Sequence, residues 1–250
     1  MLQADARQEF IANRDQNMFL GVYPTWEEAV RASEAYGTSG YDNTASAELY
    51  LERLYIASYD YPALYWITRS LMDGLRSVMD VGGSVGIKYY AFKKELSAWP
   101  DLRWVVQDVP AVAERGRKFA AEKGEAGKLD FIDDFAKGDG VDVVYASGVL
   151  QYLPKTLPEL LAGYKTKPRR IVINTAAIHP EREFFTVNSI GTAFCPYRIQ
   201  TAQRLVKDLE SMGYVLREDW RNIGKKMTIP WKPEFSLSDY CGYCLDLVRR

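Results

Sequence analysis

A strand of apolar residues that runs into a glycine-rich turn is the feature that most constrains the fold of this 250-residue chain. The run reads Val78-Met79-Asp80-Val81-Gly82-Gly83-Ser84-Val85-Gly86, and a helix is predicted from Ile87. Glycine has no Cβ atom, so the backbone can take positive φ angles there and come close to a ligand. The free amides that begin the following helix point at polar ligand atoms. The turn therefore predicts contact between backbone and a bound ligand.

The spacing of the glycines indicates which ligand the turn suits. Counted from Gly82, the dinucleotide pattern G-x-G-x-x-G has Ser84 and Ile87 at its second and third glycine positions. The next glycine, Gly86, comes one residue too early for that pattern. The run instead fits D-x-G-x-G-x-G, with Asp80 as the acid and Ser84 at the middle glycine. That pattern suits a nucleoside with an amino-acid tail, a description that S-adenosylmethionine fits.

Composition limits the classes of partner. Lys and Arg number 32 against 33 Asp and Glu, so the formal charge of -1 provides no basic field for a nucleic acid. No apolar stretch approaches the roughly 20 residues that span a bilayer, and the N-terminus has no signal-peptide pattern. Three cysteines are compatible with a reducing compartment. We expect a cytoplasmic protein with a small-molecule substrate that binds neither nucleic acid nor membranes, and the sequence leaves a homodimer open.

The apolar pattern divides the chain near residue 75. Residues 1–75 show helical spacing around 25–35 and 45–58, with Thr25 and Glu28 placed as a capping box, and no buried strand is predicted there. We expect this segment to be an N-terminal helical cap on the acceptor side of the site. In residues 76–250, short apolar strands alternate with amphipathic helices, which predicts an α/β fold with a doubly wound, mostly parallel seven-stranded sheet. After the strand at Val78, the predicted strands are 104–107, 129–132, 141–145, 171–174, 214–216 and 240–247.

Polar and small residues follow successive predicted strands, at the edge where such sheets bind ligands. The carboxylate of Asp108 suits the two ribose hydroxyls, and that of Asp133 suits the exocyclic amine of adenine. Ser147 and Gly148 are small and leave space for the methyl group and its acceptor. The candidate cofactor-binding residues are Asp80, Gly82, Gly83, Ser84, Gly86, Asp108, Val109, Asp133, Asp134, Ser147 and Gly148.

Each of these residues also has a plainer interpretation. Glycine turns follow strands in many α/β proteins without any cofactor. Asp108 could cap the next helix, and Asp133 and Asp134 could lie in a solvated turn. Their joint occurrence at successive strand ends favours a binding site.

The order of these motifs resembles the series found in class I S-adenosylmethionine-dependent methyltransferases, in particular the small-molecule O-methyltransferases. The matching segments, within residues 76–220, are Asp80-Val81-Gly82-Gly83, Gln107-Asp108-Val109-Pro110, Asp133 and Ser147-Gly148-Val149-Leu150. Residues 21–29, 40–42 and 148–152 are also similar to a bacterial methyltransferase group often encoded with surface-polysaccharide or secondary-metabolite genes. The resemblance implies S-adenosylmethionine as cofactor and O-methylation of a saccharide or related metabolite hydroxyl.

The candidate catalytic residue is not the one that the resemblance implies. Plant-type O-methyltransferases place a catalytic histidine where this chain has Gln151, which cannot remove a proton. The single histidine, His179, follows the strand 171–174 on the ligand side and is the candidate general base, with a loop-packing role as the alternative. Gln151, Tyr152 and Tyr41 are the candidate substrate-binding residues, and packing roles stay open for the tyrosines.

The sequence leaves two alternative functions open, and it contains one further motif. A nicotinamide-dependent oxidoreductase would share the sheet but needs G-x-G-x-x-G and a proton relay. A catalytically silent S-adenosylmethionine-binding protein is favoured by Gln151 in place of the expected base. Cys241 and Cys244 form a C-x-x-C pair, but they lie in a predicted strand where residues three apart face opposite sides. No metal site is predicted.

Overall fold

The computed structural model describes residues 2–14, 16–38, 40 and 54–248, with only the backbone described for residues 2–5. The α-helices in this part of the chain are α1 (Leu2–Ala12), α2 (Trp26–Tyr36), α3 (Tyr61–Met72), α4 (Ile87–Leu96), α5 (Pro110–Glu122), α6 (Leu157–Leu161) and α7 (Ala202–Ser211). The strands are β1 (Met18–Tyr23), β2 (Ser77–Val81), β3 (Arg103–Gln107), β4 (Leu129–Ile132), β5 (Val143–Ser147), β6 (Arg170–Ala176), β7 (Ile178–His179), β8 (Phe184–Ser189), β9 (Phe194–Thr201), β10 (Tyr214–Asn222) and β11 (Tyr240–Leu247). Short 3-10 helices cover Ser58–Asp60, Phe135–Gly138, Leu150–Tyr152 and Pro233–Phe235.

The larger sheet has seven strands in the order β10-β11-β6-β5-β2-β3-β4. The pairs from β6 to β4 are all parallel, and β11 runs antiparallel to both of its neighbours. Each strand predicted from the apolar pattern is present, and the predicted α/β class with a mostly parallel seven-stranded sheet is confirmed. Because the parallel strands point the same way, the residues that follow β2, β3, β4 and β5 meet at one edge.

Helices cover both faces of the larger sheet. One face carries α3, α4 and α5, which share a core with Val78 and Val106. The opposite face carries α6 and α7, which share a core with Met79 and Val144. Val78 and Met79 are adjacent in β2 and point to opposite faces, as the two-residue repeat of a strand requires. The sheet is therefore doubly wound, and β2 is buried on both sides, which explains why Val78, Met79 and Val81 are all apolar.

A smaller second sheet has the order β1-β8-β9-β7, and sequence analysis did not predict it. β1 lies in the N-terminal segment and pairs antiparallel with β8, some 165 residues later, through partners such as Leu20 and Val187. The sequence predicted no buried strand in this segment, and β1, which is mostly half-buried, was not anticipated. β1 has one fully buried side chain, Phe19, and contains Gly21, so its sequence lacks the pattern of a core strand.

The N-terminal helical cap is accordingly not confirmed. α2 is present where it is predicted, and Thr25 Oγ1 accepts a hydrogen bond from the Glu28 amide (3.2 Å). α2 packs on β8 and β9 of the small sheet, whereas α3 packs on the large sheet. The helix predicted for 45–58 falls mostly outside the described residues. The division at residue 75 stays a prediction.

Among the described residues, none of the helices combines the length and the apolar character that crossing a membrane requires.

We predict that Gly116→Ala destabilises the fold. Gly116 lies in α5, and a Cβ atom there would be 2.2 Å from Cε1 of Phe131 in β4. Alanine would gain about 1 kcal/mol of helix propensity, but an approach this close puts the overpacking cost at the upper end of its usual range, about 3 kcal/mol, so we expect a net loss of about 2 kcal/mol. Urea unfolding would measure it.

Gly163→Ala is the matched control, because the nearest atom to its new Cβ would be the Leu160 carbonyl oxygen at 3.7 Å. A Gly116→Ala variant as stable as this control would contradict the close packing of α5 on β4.

Candidate functional site

The glycine turn after β2 has the conformation that its sequence predicts. Gly82 and Gly86 have φ angles of +63° and +92°, in the left-handed region that glycine adopts without strain. A Cβ atom at Gly82 would lie 2.2 Å from Cγ2 of Val149. The Gly82 amide donates to the Gln107 carbonyl at the end of β3 (2.7 Å). Space as well as backbone conformation thus requires glycine at position 82.

Ser84 sits in the middle of the turn with an unusual backbone and an unused hydroxyl. Its φ angle is +55°, a left-handed conformation that costs a non-glycine residue about 1–2 kcal/mol. Its amide donates to Asp108 Oδ2 at 2.8 Å, an interaction that holds this conformation. Its Oγ atom is buried, lines the main cleft and has no hydrogen-bond partner. A buried hydroxyl without a partner is costly, which marks this atom for a ligand.

Asp108 ties the end of β3 to the glycine turn. One carboxylate oxygen accepts the Ser84 amide, and the other accepts the Val109 amide at 2.8 Å. A carboxylate has about four lone-pair positions, so both oxygens retain capacity for further donors. Asp108 and Val109 both line the cleft.

Asp80 lies behind the turn. It is 1% exposed, and a Cβ atom at Gly83 would be 2.5 Å from its Oδ2 atom, which has no hydrogen-bond partner. Desolvation raises the pKa of Asp80 to about 8, and the positive charge of Lys88 opposes this shift. At pH 7 the carboxyl is therefore largely protonated, and it packs against Gly83 of the turn.

The segment before α3 forms one wall of the cleft. The fully buried Asp60 accepts a hydrogen bond from Lys88 Nζ at 2.6 Å. The Tyr59 carbonyl accepts from the side-chain amides of Asn174 (3.1 Å) and Asn222 (3.3 Å). These contacts hold Tyr59 and Lys88 at the cleft, where both are lining residues.

The cleft has a volume of about 730 Å³ and opens at the carboxyl edge of the large sheet, with the small sheet as its opposite wall. It brings together many of the residues predicted from sequence. Those that line it are Gly82, Ser84, Asp108, Val109, Ser147, Gly148, Gln151 and Tyr152. Asp80, Gly83 and Gly86 are buried behind the same turn rather than at the cleft surface.

The structure does not bring Asp133 and Asp134 to the described lining of the cleft. Asp133 is exposed and forms an ion pair with Lys137, whose hydrogen bond is the largest cause of its lowered pKa. Asp134 accepts the Ala136 amide at 2.9 Å and caps a 3-10 helix. Both carboxylates thus satisfy local partners, the alternative that sequence analysis left open. Their cofactor roles stay predictions.

His179 is also absent from the described lining of the cleft. It lies in β7, is 5% exposed, and its Nδ1 atom accepts the amides of Glu181 (3.1 Å) and Arg182 (3.0 Å). Because Nδ1 is an acceptor, Nε2 carries the proton and donates to the Glu234 carbonyl at 3.0 Å. With both ring nitrogens occupied, the geometry favours packing over the catalytic role that the sequence suggested. Tyr41, a predicted substrate contact, lies outside the described residues.

Several lining residues were missed at the level of sequence. Thr175 is near the end of β6, with a φ angle of +49°, so the rule applied to the other strand ends would have found it. Phe19, Tyr197 and Tyr240 reach the cleft through β1, β9 and β11, and no local pattern signals this. Only pairing between distant segments places them here.

A short part of the chain is similar to a curated methyltransferase. No family model matches the chain. A stretch of 53 residues is 40% identical to the O-methyltransferase bik3 of Gibberella fujikuroi, covering 21% of this chain and 11% of that protein. The match therefore spans about a tenth of that relative's length.

Two solved methyltransferase structures resemble most of the chain. The mitomycin 7-O-methyltransferase MmcR has a TM-score of 0.52 at 16% identity, over 89% of this chain and 67% of that one. The glycopeptide N-methyltransferase MtfA, complexed with S-adenosylhomocysteine, has a TM-score of 0.52 at 11% identity, over 83% of this chain and 99% of that one. The chain thus has the α/β fold of these methyltransferases.

We predict that Asp80→Asn changes how stability depends on pH. Between the ordinary pKa of 3.8 and the raised value of about 8, the folded state holds a proton that the unfolded state has lost. This stabilisation is complete below pH 4 and is lost as pH rises through 8. Urea unfolding from pH 5 to 8 should show wild-type stability falling relative to Asp80→Asn.

The exposed Asp130→Asn variant is the control and should keep the wild-type slope. If Asp80→Asn and wild type have parallel profiles, the protonated Asp80 is ruled out.

Proposed function

We propose that the protein is an S-adenosylmethionine-dependent methyltransferase that methylates a hydroxyl of a small molecule. The observation that carries this proposal is the meeting of the glycine turn, the unpartnered Ser84 hydroxyl and Asp108 in one cleft. The fold, shared with methyltransferases, supports it. The sequence resemblance implies a saccharide or related metabolite hydroxyl as acceptor.

The residues of the turn fit the cofactor. Gly82 leaves a cradle that a side chain would fill, and the Ser84 hydroxyl offers an unused polar contact for the methionine part. Asp108 has lone pairs to accept the ribose hydroxyls. Val109 and Val112 also line the cleft and provide apolar contact for the adenine ring.

Bound S-adenosylmethionine supplies a methyl group that a positively charged sulfur already activates. The protein must then align the acceptor, exclude water and leave a route for the acceptor proton. Burial raises the pKa of Tyr240 to about 12 and that of Tyr197 well above its ordinary value. Both phenols keep their protons at neutral pH, so their role is to position the acceptor rather than to act as bases.

A catalytically silent cofactor-binding protein is the second candidate. Gln151 occupies the position expected for a base, and His179 has both nitrogens engaged. Incubation with S-adenosylmethionine labelled in its methyl group and a panel of hydroxylated metabolites separates the two. Label in a product establishes the transferase, and binding without any labelled product across the panel favours the silent protein.

We predict that Asp108→Ala weakens cofactor binding. Hydrogen bonds to a charged group contribute about 1.5–3 kcal/mol, so the Kd for S-adenosylhomocysteine should rise about 10- to 100-fold. Titration calorimetry would measure this Kd, together with that for NAD, for which we expect no binding. Tight NAD binding by a protein that ignores S-adenosylmethionine would overturn the proposed function.

Asp133→Ala serves as the comparison in the same titrations. Its carboxylate is exposed and paired with Lys137, so we expect less than a twofold change in Kd. A loss as large as that of Asp108→Ala would instead support the adenine contact predicted from sequence.

A further inference from the structure

Gln151 lines the cleft and carries a buried hydrogen-bond acceptor that no protein group uses. Its side chain is 4% exposed, and its Nε2 atom donates to the Thr175 carbonyl at 3.3 Å. Because that contact requires a donor, the other end of the amide is the oxygen, and Oε1 has no hydrogen-bond partner. A buried carbonyl without a donor costs about 1–3 kcal/mol. The cleft therefore holds an acceptor atom that a ligand donor would satisfy.

A hydrogen-bond donor lies beside it. The hydroxyls of Tyr197 and Tyr240 are 2.7 Å apart, and both side chains are buried at the cleft. In a hydrogen bond between two hydroxyls, only one of them donates its proton. The proton of the other hydroxyl can therefore be donated to another acceptor. The 3-10 helix that contains Gln151 packs against β9, which carries Tyr197, and Gln151, Tyr197 and Tyr240 all line the same cleft. Desolvation raises the pKa of Tyr197, and the Gln151 side chain opposes this shift.

A hydroxyl is the ligand group that matches both atoms. It donates a proton to Gln151 Oε1 and accepts one from the tyrosine pair. An ether lacks the donor, and a protonated amine lacks the acceptor. An ether would leave the Gln151 oxygen unpaired, and an ammonium group would leave the tyrosine proton unpaired, so each would bind more weakly.

Apolar side chains, most of them from the small sheet and its neighbours, form one part of the surrounding wall, while Asn17, Lys225 and Lys226 also line the cleft. The apolar members are Phe19, Trp26, Val30, Leu153 and Pro196. Tyr152 adds its ring, which packs edge-on against Tyr197 (ring centroids 4.9 Å apart), while its hydroxyl is donated to Asn188 at 2.7 Å. A polyol bound against these apolar side chains would leave the hydroxyls that face them without partners, at about 1–3 kcal/mol each, whereas a flat apolar ring would not.

We propose that Gln151 and the Tyr197–Tyr240 pair orient the acceptor hydroxyl, and that the acceptor is an apolar ring compound carrying this hydroxyl rather than a polyol. The proposal rests on the proposed function. It narrows the acceptor from small-molecule hydroxyls in general to one class, and within that function it argues against the saccharide that the sequence resemblance implies. Gln151 contacts the substrate and positions it, and it takes no proton.

A matched pair of probes tests the proposal. 6-Hydroxyquinoline and 6-methoxyquinoline differ only in the donor, and methyl glucoside represents a polyol. Fluorescence and saturation-transfer titrations would measure binding to the full chain, with and without S-adenosylhomocysteine. We expect the hydroxyl probe to bind about tenfold tighter than the ether, as one hydrogen bond and one unpaired carbonyl imply, and tighter than the glucoside.

Variants identify the residues responsible. Gln151→Leu and Tyr240→Phe should each reduce the tenfold preference to within about threefold, with the Kd for S-adenosylhomocysteine unchanged. Tyr214→Phe is the matched control, because its hydroxyl donates to the Pro168 carbonyl inside the core at 2.9 Å. It should retain the preference. Thermal unfolding of each variant confirms that it is folded.

The outcomes separate this inference from the proposed function. Equal binding of the two quinolines, no saturable binding of the hydroxyl probe, tighter binding of the glucoside, or an unchanged preference in Gln151→Leu would each overturn the inference, even if the cofactor binds. A preference that depends on Gln151 without any binding of S-adenosylhomocysteine would support the inference and overturn the proposed function.

Discussion

The hydrogen bond from the Ser84 amide to the Asp108 carboxylate is the interaction on which the site depends. It joins the glycine turn after β2 to the end of β3 and holds a serine in a left-handed conformation. Ser84 lines the cleft, and its buried hydroxyl has no protein partner. The hydrogen bond to Asp108 thus offsets the backbone strain at Ser84, and the Ser84 hydroxyl stays available to a ligand.

Polar atoms without partners lie at both ends of the cleft. Ser84 Oγ is at the glycine turn, and Gln151 Oε1 is at the wall that the small sheet completes. Tyr59, which also lines the cleft, is held through its carbonyl by Asn174 and Asn222. Such atoms are rare in folded proteins, and their position in one cavity fits a protein that binds a cofactor and a second molecule together.

Sequence reasoning succeeded where function follows strand order. The large sheet and the residues directly after β2, β3 and β5 were predictable, because parallel strands bring their carboxyl ends to one edge. It failed for β1, whose partner β8 is remote in sequence and whose residues are only half-buried. It also could not foresee the hydrogen bonds of His179 with Glu181, Arg182 and Glu234, because position after a strand says nothing about them, and the catalytic role of His179 stays a prediction.

The amino-acid sequence by itself determined the α/β class, the left-handed glycine turn and the acid at the end of β3, since each follows from local spacing and short-range sterics. Tertiary structure alone decided which polar atoms remain unpaired and which aromatic rings enclose the second half of the cleft. Gln151, Tyr197 and Tyr240 come from separate parts of the chain. Their chemistry arises only when β9 and β11 bring two hydroxyls to within 2.7 Å beside an amide.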